Sequence, residues 1–163
     1  MKPSIIIDGY NLIHRVKELR EFLKIDIQHA RIELINKLTG LISRKNISIR
    51  LVFDGDRVGQ PSHQSINKIH VIYSIKPQIA DTVIKQFVDK SKNPKNLLVV
   101  SSDSSVYQYA KSAKAQAIRS EEFYSKYLDS KKSSPSPNLQ EEMSQHELQN
   151  WVDIFNNTEG NEK

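Results

Sequence analysis

The chain has 163 residues, of which 37% are hydrophobic, it contains no cysteine, and its formal net charge is +5. This length suits one compact domain. The lack of cysteine excludes disulfides, thiolate catalysis and cysteine-bound zinc sites, and a protein without disulfides suits a reducing cytoplasm. No apolar run approaches the roughly 20 residues of a membrane helix, and Asp8 interrupts the first apolar stretch too early for a signal peptide.

Charge is distributed unevenly along the chain. Residues 138–163 contain six acidic residues and one lysine, so they carry about −5, which leaves about +10 on residues 1–137. A basic domain favours a polyanionic partner, of which nucleic acid is the commonest. A merely soluble basic surface explains the same charge equally well, so both interpretations stay open at this point.

The first half of the chain alternates between strand and helix patterns. The apolar run SIIID at 4–8 predicts a strand, and ISIRLVF at 47–53 predicts a second, closed by Asp54-Gly55. The glycines and the proline of 55–67 predict a loop, and the alternation of IHVIY at 69–73 predicts a third strand. Between the first two strands, apolar residues recur in steps of three and four over 26–44, which predicts an amphipathic helix with a buried face formed by Ile27, Ala30, Leu34, Leu38, Leu41 and Ile42.

The second half continues this alternation. Residues 78–90 predict a helix with one apolar face, and after Asn93-Pro94 the run LLVV predicts a buried strand that ends at Ser101-Ser102-Asp103. A helix over 104–115, a short strand at 116–118 and a helix over 120–129 complete the pattern. Strands that alternate with helices predict an α/β fold with a mostly parallel central sheet.

The composition changes after the last of these helices. We expect one domain over 1–129, followed by a Ser/Pro/Lys-rich linker at 130–138 (SKKSSPSPN). Residues 139–163 then predict an acidic helix over 139–155 and a polar tail.

Acidic residues follow three of the predicted strands. Asp8, Asp54 and Asp103 each stand at a strand end, and Asp81 begins the helix after the third strand. Ligands of parallel α/β sheets bind beyond the carboxyl ends of the strands. Carboxylates gathered there repel one another unless cations lie between them, and Mg²⁺ or Mn²⁺ suits such hard oxygen ligands.

Each of these acids also has a simpler explanation. Asp8 and Asp54 precede glycines and could be turn residues, whereas Asp81 and Asp103 could cap helices or complement a helix dipole. Capping alone does not require four acids at one edge of a sheet, so the clustering favours a metal site.

Several sequence blocks resemble the bacterial YacP-like group of NYN domains, which are relatives of PIN nucleases. The resemblance spans roughly residues 3–128 and is carried by IIIDGYNLIH, AR-x-x-LI at 30–35, VFDG at 52–55, ADTVI at 80–84, VVSSD at 99–103 and the segment from Arg119-Ser120 to Glu122-Phe123. The chain departs from the family pattern in Ala115-Gln116-Ala117, where a Gly-Ala pair is usual, and in Ser101, where Thr is usual. Neither departure changes an acid.

The resemblance implies a three-layer PIN-like sandwich and hydrolysis of RNA phosphodiester bonds with a divalent metal, in some members at the ribosome. By matching blocks it implies Asp8, Asp81 and Asp103 as metal ligands and Asp54 as a fourth catalytic acid. Asn11 would lie beside them as a further catalytic group, although a helix cap explains it equally well.

Basic residues near the predicted loops could contact RNA. We single out Arg57, Lys76 and Arg119 for this role, while a solvated surface is the simpler explanation of each one taken singly. The leading hypothesis is a cytoplasmic, metal-dependent endoribonuclease. The alternative is a non-catalytic RNA- or ribosome-binding module on the same fold, but the intact acid set favours the enzyme because carboxylates facing phosphate do not help binding alone.

Overall fold

A central sheet organises the chain in the computed structural model, which describes residues 3–55, 62–74 and 79–129. Its strands in these segments are β1 (Ser4–Asp8), β2 (Ser48–Phe53), β3 (Ser62–Ile66), β4 (Ile69–Tyr73), β5 (Leu97–Val100) and β6 (Gln116–Ile118). They lie in the order β3-β4-β2-β1-β5-β6. Every neighbouring pair is parallel except β3 and β4, which are antiparallel. The predicted mostly parallel α/β sheet is therefore confirmed.

Helices connect these strands and cover both faces of the sheet. In chain order they are α1 (Gly9–Arg15), α2 (Lys17–Arg20), α3 (Ile27–Arg44), α4 (Ala80–Lys90), α5 (Ser104–Ser112) and α6 (Ser120–Phe123). Two 3₁₀ turns, Glu21–Lys24 and Pro94–Asn96, precede α3 and β5, and a π-helical turn at Tyr124–Leu128 follows α6.

Side chains that alternate along the strands build two hydrophobic cores. Ile5 and Ile7 of β1 pack on one face with the buried residues of α1, α2 and α3 and with Phe123 and Leu128. Ile6 points to the opposite face and packs with the buried residues of α4 and α5. A sheet between two helical layers is the predicted three-layer sandwich, which is thereby confirmed.

The structure corrects several details of the predicted elements. Residues 62–66 form β3 rather than part of a loop, because their backbone pairs with β4 across a tight turn although SHQSI lacks an apolar alternation. The helical segments between residues 9 and 24 were not predicted. Ile27 was assigned to the buried face of its helix, and Ile79 falls within the helix predicted over 78–90. They are 40% and 54% exposed, because Ile27 is the first residue of α3 and Ile79 precedes the first residue of α4.

Some predictions concern residues outside the described segments. These are Arg57 and Lys76, the linker at 130–138 and the acidic region at 139–163. No helix in the described part of the chain is both long and apolar enough to cross a membrane.

Candidate functional site

Three of the predicted acids meet at the carboxyl edge of the sheet. Asp8 is the last residue of β1 and lies level with Val52 of β2. Asp54 follows β2 directly, and Asp103 follows β5, which runs parallel to β1 on its other side. The parallel register therefore brings three strand ends, and the acid of each, to one edge.

Asp8 occupies the centre of this edge and is half-buried. The pKa of its carboxyl group is raised to about 6: burial is the main cause, the negative charges of Asp54 and Asp103 add to it, and a hydrogen bond from Ser101 acts in the opposite direction. The carboxylates are thus close enough to repel one another, which is the arrangement that a bound cation would stabilise.

Ser101 links two of the three acids. Its hydroxyl donates a hydrogen bond to Oδ2 of Asp8 and accepts one from the backbone N–H of Asp103, and both bonds are 3.1 Å long. Ser101 is fully buried, so this hydroxyl fixes the spacing between β1 and the start of α5. In the sequence Ser101 stands out only as a departure from the family pattern, which gives no signal of this role.

Asp103 caps a helix, as its simpler explanation requires, and Asp54, for which a turn was the simpler explanation, caps a second helix. Oδ1 of Asp103 accepts hydrogen bonds from the backbone N–H groups of Ser105 (2.8 Å) and Val106 (3.2 Å), and so caps α5. Oδ1 of Asp54 accepts a hydrogen bond from the backbone N–H of Ala80 and so caps α4. Within the described segments, the second oxygen of each carboxylate makes no hydrogen bond, so capping leaves one oxygen of each acid available.

Asp81 stands in the first turn of α4 and is engaged by a cation. Its Oδ1 lies 3.0 Å from Nζ of Lys85, one helical turn further along. The same Nζ donates a hydrogen bond of 2.7 Å to the hydroxyl of Ser105 on α5 and lies 5.4 Å from the ring centroid of Tyr109. Lys85 therefore joins α4 to α5 and already neutralises the fourth acid.

Asn11 has a structural role that the sequence did not reveal. Its side-chain oxygen accepts hydrogen bonds of 2.8 Å from the backbone N–H of Ser102 and from the hydroxyl of Ser120. It thus ties α1 to the segment after β5 and to the start of α6, across 91 and 109 residues of chain. The oxygen of this amide is used within the protein, so only its NH₂ group remains for a ligand.

Ser102 connects the same edge to α6. Its hydroxyl accepts a hydrogen bond of 3.0 Å from the backbone N–H of Ser120 and donates one to Glu121. That bond is the main reason why the pKa of Glu121 is lowered, with smaller contributions from Arg15 and Arg119. Ser102 thus caps the start of α6.

Arg119 lies beside this network. Its guanidinium donates a hydrogen bond of 3.2 Å to the carbonyl oxygen of Ser102 and lies 4.4 Å from the ring centroid of Tyr107. Nζ of Lys111 lies 4.6 Å from the centroid of the same ring. Two cations and one half-buried aromatic ring thus border the acidic edge at α5 and β6.

An arginine and three aromatic rings border the edge on the other side. Arg31 of α3 donates two hydrogen bonds to the hydroxyl of Tyr10 and lies within 5.7 Å of the ring centroids of Tyr10, Phe53 and Tyr73. Phe53 packs against both tyrosine rings, with centroids 4.7 and 5.6 Å away. Arg31 is the arginine of the AR-x-x-LI block at 30–35. That block marked Arg31 as part of the family resemblance, but the hydrophobic pattern of the helix gave no reason for an arginine at this position.

Close approach explains the glycine after each of two acids. A Cβ atom on Gly9 would collide with the ring of Phe53, and one on Gly55 would collide with the backbone carbonyl of Ser74. The Asp-Gly pairs at 8–9 and 54–55 are therefore required by packing at the site and not only by turn formation.

The acids fit a hard divalent cation by chemistry, but they are not arranged as a finished metal centre. Asp8, Asp54 and Asp103 supply mutually repelling carboxylate oxygens, which is the donor type that Mg²⁺ and Mn²⁺ prefer. In the described segments, however, no three His, Asp or Glu side chains are placed to hold a metal as they stand. Asp81 would have to leave Lys85 to join the other acids.

Comparison with known proteins identifies the family. The sequence model of the YacP-like NYN domain matches residues 5–159. The chain belongs to this family. The match extends past the span of roughly 3–128 recognised from motifs and includes most of the acidic region. No curated protein sequence matches the chain.

Two solved structures share the fold of this YacP-like NYN chain. A crystal structure of Rae1 (YacP) from Bacillus subtilis matches with a TM-score of 0.63 and 20% identity, over 98% of this chain and 85% of that one. The W164L mutant of the same protein matches with a TM-score of 0.62 and 21% identity, over 74% and 70% of the two chains. The similarity confirms the PIN-like NYN fold.

Proposed function

We propose that the protein is a metal-dependent endoribonuclease that hydrolyses RNA phosphodiester bonds in the cytoplasm. The observation that carries this proposal is the group of Asp8, Asp54 and Asp103 at one sheet edge, where burial, together with the charges of the latter two, raises the pKa of Asp8. A fold has little reason to gather repelling carboxylates unless a cation is to lie among them. Membership of a nuclease-like family supports the same conclusion.

Asp8, Asp81 and Asp103 would hold Mg²⁺ or Mn²⁺, and Asp54 would bind a second ion or orient the attacking water. When bound, the metal would supply charge neutralisation at the phosphate and lower the pKa of a water molecule. The chain's own contribution is positioning: Ser101 holds Asp8 and the backbone of Asp103 in register, and Asn11 holds the segment between β5 and α5. Within the described residues the NH₂ group of Asn11 makes no hydrogen bond, so it would be available to a phosphate oxygen.

RNA would reach the acids across cationic groups that border them. Arg119 and Lys111 flank the ring of Tyr107, which offers both charge for phosphates and a surface for a base. Arg57 and Lys76 complete the proposed RNA contacts from outside the described residues. The charge of about +10 on residues 1–137 agrees with a polyanionic substrate.

A non-catalytic RNA- or ribosome-binding module is the second candidate. The ion pair between Asp81 and Lys85 favours it, because an acid that is neutralised within the protein need not bind metal. RNA cleavage distinguishes the two candidates: the enzyme cleaves RNA, whereas a binding module binds RNA without cleaving it.

The test is cleavage of end-labelled RNA by the purified full chain, with Mg²⁺ or Mn²⁺ and with EDTA, and with ribosome-bound mRNA as a second substrate. We expect internal cleavage that requires the metal. RNA binding without cleavage of either substrate would support the binding module, and cleavage that persists in EDTA would refute the metal-dependent mechanism.

A further inference from the structure

A cleft lies at the opposite edge of the sheet from the acids. It has a volume of about 590 Å³ and is bordered by the end of α3, the first residues of β2 and β4, and the turn between β3 and β4. β2 runs from this cleft at Ser48 to the acidic edge at Phe53, which separates the two by roughly 17 Å at about 3.3 Å per residue. The cleft is therefore distinct from the proposed catalytic site.

The lining of this cleft is cationic and rich in hydrogen-bond donors. Arg44, Lys45, Lys68 and His70 line it together with the hydroxyls of Ser48 and Ser65, and no acidic residue does. Among the described residues, none of these three lysine and arginine side chains forms an ion pair, whereas Lys24, Lys37, Lys85 and Lys126 do. The positive charge of the cleft is thus left without a partner from within the described part of the chain.

The surroundings of Lys45 disfavour its positive charge. It is half-buried, and burial lowers the pKa of its ammonium group, with a further contribution from the positive charge of Arg44. Both effects disfavour the charged form of Lys45. An anion in the cleft would reverse both, since it would replace lost hydration and offset the repulsion.

Lys68 is held in a backbone conformation that glycine adopts more easily. Asn67 and Lys68 form the two-residue turn between β3 and β4, with φ angles of 50° and 70°. Turns with two positive φ angles prefer Asn at the first position and Gly at the second. Asn67 follows this preference and Lys68 does not, so the turn carries strain that presents a lysine to the cleft.

The dipole of α3 offers a simpler explanation for part of this charge. Arg44 and Lys45 stand at the carboxyl end of that helix, where cations are stabilised, and Arg44 donates a hydrogen bond of 3.2 Å to the carbonyl oxygen of Gly40. The dipole does not explain Lys68, which comes from a different element and adopts a strained φ. Positive side chains therefore reach the cleft both from the end of α3 and from the turn between β3 and β4, and this convergence indicates an anionic ligand.

We propose that this cleft binds a phosphate group. Three cations and two serine hydroxyls match the charge and the oxygen atoms of a phosphate. The phosphate could belong to an RNA strand or be free in solution, and the cleft would recognise the same chemistry in both. The proposal does not depend on RNA cleavage.

The experiment follows backbone amide NMR signals of the full chain during titration with inorganic phosphate and, separately, with a single-stranded oligoribonucleotide, both at constant ionic strength set with chloride. We expect shifts at residues 45–48 and 68–70. Shifts with inorganic phosphate only would identify a small anion, and shifts with the oligoribonucleotide, with or without shifts from inorganic phosphate, would identify an RNA strand; each supports the phosphate site.

Two variants make the test specific. Lys68→Gly removes the cation and relieves the strained φ, so we expect phosphate affinity to fall by about tenfold while the melting temperature stays the same or rises. Asn67→Gly changes the same turn without removing a charge. Lys24→Gln removes an equal charge in the 3₁₀ turn before α3, so the length of that helix, about 27 Å, separates it from the cleft. Both variants should bind normally. No shifts in the wild-type protein, or equal affinity in Lys68→Gly, would overturn the proposal.

Discussion

Single glycines at the acidic edge show how closely its residues pack. Replacing Gly9 by alanine would press a methyl group into the ring of Phe53, so the ring and its contacts with Tyr10 must shift. We expect Gly9→Ala to lower the free energy of unfolding by roughly 1–3 kcal/mol. Gly40 of α3 is the matched control because an added Cβ meets nothing within 4 Å. Gly40→Ala should raise the free energy of unfolding by roughly 0.5–1 kcal/mol.

Urea denaturation of both variants checks this pair of opposite effects. Equal stability of Gly9→Ala and the wild-type protein would mean that Phe53 yields freely and that the packing beside Asp8 is loose.

The raised pKa of Asp8 has a consequence for stability without metal. A carboxyl group with a pKa of about 6 in the folded chain, against 3.8 for the free group, adds stability that is fully present below pH 4 and is lost as the pH rises towards 6. We therefore expect Asp8→Asn to be more stable than the wild-type protein at pH 7 in EDTA, by about 2–3 kcal/mol at most, and the difference to vanish near pH 4. Thermal melts across this pH range measure it.

Asp26 provides the control of opposite sign. It is an exposed cap of α3 whose pKa is lowered, chiefly by the hydrogen bond from the backbone of His29. Asp26→Asn should not gain stability at pH 7. A gain in both variants would show that the effect follows net charge and not the surroundings of Asp8.

At the scale of elements, Lys85 decides whether Asp81 is available. The lysine holds Asp81 on α4 and Ser105 on α5, so any metal must compete with it for the carboxylate. We expect Lys85→Met to tighten Mn²⁺ binding by a few-fold, on the order of 1 kcal/mol, in isothermal titration calorimetry. Lys126→Met removes an i,i+4 ion pair with Glu122 away from the acids and should leave the affinity unchanged. Unchanged affinity in Lys85→Met would argue against Asp81 as a ligand.

Sequence patterns predicted the strands and helices whose buried side chains form a regular apolar pattern along the chain. The continuous apolar runs became β1 and β5, and the spacing of Ala30, Leu34 and Leu38 became the buried face of α3. β3 could not be predicted, because its strand conformation comes from pairing with β4. Leu12, Val16 and Leu19 recur in steps of four and three and are all buried, so α1 and α2 had a usable signal.

The site was also predictable only in part, because some of its features are local in sequence and others depend on contacts between distant residues. The position of an acid after a strand is a local property, so the shared edge of Asp8, Asp54 and Asp103 followed from the alternation of strands and helices. The partners of their oxygens are not local: Asn11 meets Ser120 across 109 residues, and Ser101 meets Asp8 across 93. Such contacts depend on tertiary packing that no window of sequence contains.

At the scale of the whole molecule, the two edges of the sheet differ in charge. Carboxylates gather at one edge, and at the other lie cations that form no ion pair within the described residues, with the length of β2 between the two groups. The proposed functions follow this division: phosphodiester hydrolysis at the acidic edge and phosphate binding at the basic cleft. The proposed boundary at residue 129 remains a prediction, and the family match through residue 159 ties most of the acidic region to the same family.

The most direct test of the central claim measures RNA cleavage by Asp8→Asn, Asp81→Asn and Asp103→Asn in Mg²⁺ or Mn²⁺. Asn keeps the size of Asp and still caps helices, but it loses the charge that binds a metal. Asp26→Asn is the matched control, since Asp26 caps α3 as Asp103 caps α5. We predict that each of the three variants stays folded and cleaves roughly 10²-fold more slowly or worse, while Asp26→Asn cleaves normally. Full activity in all three would contradict the account and leave these acids as helix caps and turn residues.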